Sequence, residues 1–90
     1  MDSAVTAARL EWWANRWTCF GAFSVSVNIS VDEQGWAATG QLAQAEEYAD
    51  VAALCEFDEA FELRFPDDST VGVLVSDLTR TGSFTLTEVR

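Results

Sequence analysis

The chain is predicted to be a strand-dominated α+β domain. It reads as a curled antiparallel sheet or partly open small barrel of about five strands with one connecting helix at about 44–56. Three observations lead there. A long alternation of apolar and polar residues runs from Cys19 to Val31; the period becomes helical after Gln44; and three short alternations, separated by turn residues, follow between Phe61 and Val89.

The N-terminal stretch reads two ways. Residues 4–17 form a helix if Trp13 and Trp17 stack at i, i+4, or hold a strand around Arg9–Trp13, with Leu10 and Trp12 on one face and Trp13 on the other. The alanines tip the reading towards helix. The next segment is clearer. Cys19, Gly21, Phe23, Val25, Val27, Ile29 and Val31 alternate with Phe20, Ala22, Ser24, Ser26, Asn28 and Ser30. Such a pattern means a strand with one buried and one wetter face. Gly21 is the natural place for a bulge or kink in so long a strand. Asp32-Glu33-Gln34-Gly35 is a turn in which Gly35 can take positive φ. Trp36, Ala38, Gly40 and Leu42 then alternate, which completes a hairpin.

Tyr48, Val51, Ala52 and Cys55 fall at i, i+3, i+4 and i+7, one face of a helix, with Glu46, Glu47 and Asp50 largely off it. Those early acids suit the positive end of the helix dipole. Phe61, Leu63 and Phe65 share a strand face, and Pro66-Asp67-Asp68-Ser69 is a turn with proline presetting φ. Val71, Val73 and Val75 alternate next. Thr79-Arg80-Thr81-Gly82 turns the chain again, and Ser83 to Val89 is the last strand. The whole of 1–90 is expected to be one domain.

Composition narrows the function classes. The 90 residues are 49% hydrophobic, with 15 acids, 5 bases and a formal charge of −10; all five bases are arginine, and histidine is absent. Nucleic-acid binding draws most of its affinity from cations on phosphates, and anionic membranes attract basic segments. Neither partner fits. With no long apolar run and no basic, apolar N-terminus, the expected location is cytoplasmic. The arginine- and alanine-rich mix hints at a GC-rich, bacterial coding genome. Absence of histidine and lysine removes the commonest general base, metal ligand and Schiff-base former. Neither a catalytic residue, a metal site nor a cofactor is expected. Cys19 and Cys55 each sit on an apolar face and read as buried thiols.

The acidity is concentrated. Nine acids fall between Gln44 and Asp68, where Arg64 is the one base. This points to a small non-catalytic interaction protein, of inhibitor, immunity or adaptor type, that binds a basic protein surface. Glu46, Glu47, Asp50, Asp58 and Glu59 are the expected contacts. Complementary charge of this kind speeds encounter and excludes acidic competitors. The alternative is a module that holds a small ligand in an aromatic-lined pocket of the curled sheet. A carboxylate enzyme using Asp58, Glu59 or Glu62 is a third reading. Trp12, Trp13 and Trp36 are the candidate interface or ligand aromatics. Trp12 and Trp13 are adjacent and cannot share a face, which leaves self-association through the N-terminal tryptophans open.

Overall fold

The computed structural model describes residues 2–33 and 35–89. The chain runs β1 (Asp2–Asn15), β2 (Thr18–Asp32), β3 (Gly35–Leu42), a 3-10 turn (Ala45–Glu47), α1 (Tyr48–Phe57), β4 (Ala60–Arg64), β5 (Thr70–Ser76) and β6 (Ser83–Glu88). The strands close into a barrel in the order β1-β2-β3-β6-β5-β4. All six contacts are antiparallel. The sheet is therefore closed rather than partly open, and it has six strands rather than five.

The sixth strand is the N-terminal element. The preference for helix at 4–17 is overturned: β1 pairs with β2 from Asp2↔Val31 to Asn15↔Thr18. Alanine's helix propensity is worth only tenths of a kcal/mol per residue, about 0.7 at most against ordinary residues. Thirteen residues paired with β2, with Ala8 and Leu10 buried inside the barrel, outweigh it. The turn into β2 has its own device. Asn15 Oδ1 accepts the backbone N–H groups of Trp17 (2.9 Å) and Thr18 (3.0 Å), so the side chain does the work of a backbone turn.

The expected kink falls one residue before Gly21. Trp12 pairs with Gly21 but Trp13 pairs with Cys19, which leaves Phe20 as an extra residue in β2. This bulge reverses the alternation, so Cys19 is exposed, not buried as its place in the period-two run suggested. Beyond the bulge the pattern holds, with Phe23, Val25 and Val27 all buried. The β2–β3 turn forms where expected. Gly35 leaves it at φ 120°; Gln34 lies outside the described residues.

The lumen is filled by side chains. Leu10, Val27, Leu63, Val73 and Leu86 are fully buried, one from each of five strands, and β3 adds Ala38 and Leu42. α1 takes the place β3 would occupy beside the first half of β2, and its Val51 is fully buried at that end of the barrel. Tyr48, Ala52 and Cys55, the rest of the expected helix face, are half-buried. Trp36 and Ile29 pack against the core near the other end.

Gly40 stands directly opposite Phe84, and a Cβ there would collide with the Phe84 ring. The ring thus lies over the bare backbone of its neighbour. Gly40→Ala is expected to destabilise the fold by about 1–3 kcal/mol, read as a lower urea midpoint. Phe84→Leu in the Gly40→Ala background should recover part of that loss.

Candidate functional site

The acidic residues do not form one cluster. Glu46 and Glu47 lie in the 3-10 turn and Asp50 in the first turn of α1. Asp58 and Glu59 follow the helix C-terminus. None of Glu46, Glu47, Asp50, Glu56 or Glu59 makes an ion pair among the described residues. Asp58 Oδ1 accepts the N–H of Ala60 at 2.9 Å. Glu59 lines a groove between α1 and β5 with Tyr48, Cys55 and Asp77. Glu62 lies opposite Glu11 across the β1–β4 contact and is exposed. Among the described residues no group of three or more histidine, cysteine or acidic side chains is placed to hold a metal ion.

Asp50 belongs to a different surface. α1 carries a second stripe at i, i+3, i+4 and i+7, formed by Asp50, Ala53, Leu54 and Phe57, and it runs along β2. Between them lies a groove of about 400 Å³ lined by this stripe and by Phe20, Gly21, Ala22 and Phe23. Gly21 makes the approach close: a Cβ there would sit 2.8 Å from Leu54 Cδ1. Two rings stand at the groove with little cover, Phe20 at 67% exposed and Phe57 at 81%. They are organised by Trp12, whose ring stacks on Phe20 (centroids 6.0 Å apart, planes 12° apart) and meets Phe57 at 6.4 Å. The Trp12 indole N–H donates to the Asp58 carbonyl at 3.1 Å, which fastens hairpin to helix. Trp17, at the tip of the same hairpin, is 80% exposed with the Arg16 guanidinium 5.5 Å from its ring centre.

The tryptophans expected from sequence thus have separate duties. Trp12 is the half-buried base of the aromatic cluster. Trp13, on the outer face, donates its indole N–H to Glu11 Oε1 at 3.1 Å. Trp36 packs on the core. The exposed rings are Phe20, Phe57 and Trp17, which the sequence reading did not single out. One signal was available: Phe57 lies off the apolar face Tyr48–Cys55.

Glu11 is the one buried charge among the described residues. It faces outward by strand parity yet is 4% exposed. Arg64 Nε lies 3.2 Å from both its oxygens, and Arg9 Nη2 lies 3.9 Å from Oε2. The base within the acidic segment is therefore directed to an acid outside it.

The two cysteines are free thiols. Burial, and secondarily the Glu59 carboxylate, push the Cys55 thiol above its ordinary range. A raised thiol pKa means that the folded chain holds this proton more firmly than the unfolded chain. The linked stability is complete below the ordinary thiol range and is lost as pH rises through the folded value. On the β4–β5 turn, the Ser69 hydroxyl and then the Ser69 N–H lower the pKa of Asp67. That carboxylate adds stability above the ordinary carboxylate range, and the contribution fades as pH falls.

Two outcomes are expected. With a thiol reagent at pH 8, exposed Cys19 should react first and half-buried Cys55 more slowly, because burial both shields its sulfur and favours its protonated form. Cys19→Ser should leave the slow phase alone. Glu11→Ala should lower stability by about 3 kcal/mol, because it leaves Arg64 and Arg9 face to face without a counter-charge; thermal unfolding measures it.

No protein-family profile matches the chain, and neither a curated protein nor a solved structure matches it, so sequence, fold and surface geometry carry the functional argument.

Proposed function

We propose that the chain is a small non-catalytic interaction protein that docks a basic protein segment at the α1 end of the barrel. The observation that carries this reading is the groove between α1 and β2, where Asp50, a carboxylate with no ion pair among the described residues, meets two exposed rings, Phe20 and Phe57. A lysine or arginine side chain suits such a groove. Its aliphatic stem would lie along the rings and its charged head would reach the acid.

Local physics supports the assignment. The acids at Glu46, Glu47 and Asp50 suit the positive end of the helix dipole, so for Asp50 it is the place beside two exposed rings, not the charge alone, that supports the reading. Asp58 and Glu59 do not suit the dipole, because they follow the negative end and no basic residue lies in the last turn. Their cost in helix stability is consistent with use by a cationic partner. Exposed aromatic rings of this size are common anchors at interfaces.

The test is capture of the partner on immobilised chain at low and high salt, comparing wild type with Asp50→Asn and with the Phe20→Ala/Phe57→Ala double variant. The partner should bind wild type with an association rate that falls as salt rises. Asp50→Asn should slow association further, and the double variant should shorten the lifetime of the complex by at least about tenfold. A partner held equally by all three proteins across the salt series would overturn the proposal.

A further inference from the structure

A second groove shares no residue with the first and crosses the outer face of β1, β2 and β3. Its volume is about 780 Å³, within the usual small-molecule range of about 300–1,000 Å³. Strand register explains its floor. Ala7 stands opposite Ser26 and Ser26 opposite Gln41, one row across three strands, and Arg9 stands opposite Ser24. Small outward side chains on a curved sheet leave a hollow. Phe65 and Pro66, where the chain leaves β4, also line it.

The charge of this groove runs against that of the chain. Two of the five arginines, Arg9 and Arg64, line it from directly opposed register positions. Arg64 is committed to Glu11 through Nε, and its Nη1 donates to the Asp68 carbonyl at 3.3 Å. Arg9 is held more loosely: its Nη2 pairs with Glu11 Oε2 only at 3.9 Å, its side chain is 59% exposed, and its donors make no hydrogen bond among the described residues. The hydroxyls of Ser24 and Ser26 have no hydrogen-bond partner among the described residues. Asp68 is the one acid in the lining, and Glu11 is buried under Arg64. A guanidinium with open donors and two open hydroxyls therefore border a largely apolar hollow.

We propose that this groove binds a small organic carboxylate. Arg9 holds the carboxylate as a bidentate fork, Ser24 and Ser26 donate to it, and the apolar body of the ligand lies against Ala7, Phe65 and Pro66. A bare phosphate would leave that apolar lining unused. The proposal is independent of the docking surface at α1.

Sodium benzoate is the probe, with benzamide as its neutral counterpart, titrated into isotopically labelled full chain at constant pH and ionic strength. Benzoate should produce saturable amide shifts confined to 7–9, 24–26, 41–43 and 64–68, and benzamide should bind at least about tenfold more weakly, the loss of one charge-assisted contact. Arg9→Gln should weaken benzoate by a similar factor. Ser26→Phe, which fills the floor and leaves Arg9 in place, should abolish the shifts. Equal binding of benzoate and benzamide, shifts that fail to saturate or that centre elsewhere, or undiminished binding by both variants would overturn the proposal.

Discussion

The barrel closes through a narrow seam. β1 meets β4 over three register positions, with Arg9, Leu10 and Glu11 opposite Arg64, Leu63 and Glu62. The middle pair is fully buried and belongs to the core. The outer pairs set like charges directly across from one another, which destabilises a sheet. The diagonal resolves this, because Arg64 Nε reaches both oxygens of Glu11 while Arg9 stands beside the same carboxylate. Trp13 completes the arrangement by donating to Glu11. A carboxylate this buried needs those donors, since an unpaired buried charge costs several kcal/mol.

Both proposed surfaces follow from how short that seam is. Above it, the first hairpin continues past β4 and has only α1 to pack against. The Phe20 bulge and Gly21 let Leu54 approach closely, and Trp12 ties the hairpin to the carbonyl of Asp58. The rings exposed there are a consequence of a helix standing where a strand would otherwise continue. Below the seam, β1 leaves β4 after Arg9 and stays paired with β2 alone. The turn after β4 then borders the outer face of the three-stranded sheet, and the larger groove opens beside it.

Much of the fold was legible from β2 onward because its signals are local. Period two from Phe23 to Ile29, helical spacing from Tyr48 to Cys55, and turn residues at Pro66–Ser69 and Thr79–Gly82 all describe neighbours in sequence. β1 was not legible. Its alanines speak for helix, and what makes it a strand is pairing with residues as distant as Val31. Cys19 was misplaced for a related reason: period-two reading carries a side chain to the wrong face once a bulge inserts one residue. The candidate site was visible only in part. The concentration of acids was plain, but it took the fold to separate Asp50, which lies in a groove with two rings, from Glu59, which lies in another beside β5. Glu11 carried no local mark, since its partner Arg64 lies fifty-three positions away.

Net charge alone is therefore a poor guide to what this surface does. Ten excess negative charges spread evenly would favour solubility and little else. Here eight of the ten fall within 44–68, before, on and after one helix, and the arginine among them is turned to Glu11. The end that exposes aromatic rings also carries acids that make no ion pair among the described residues. In the larger groove, Arg9 and Arg64 leave a small region where an anion meets cations first. At physiological salt, charges more than about 8 Å apart are largely screened from one another. Two surfaces of opposite electrostatic preference can consequently coexist on one barrel of 90 residues, each governed by the side chains within its own groove rather than by the charge of the whole chain.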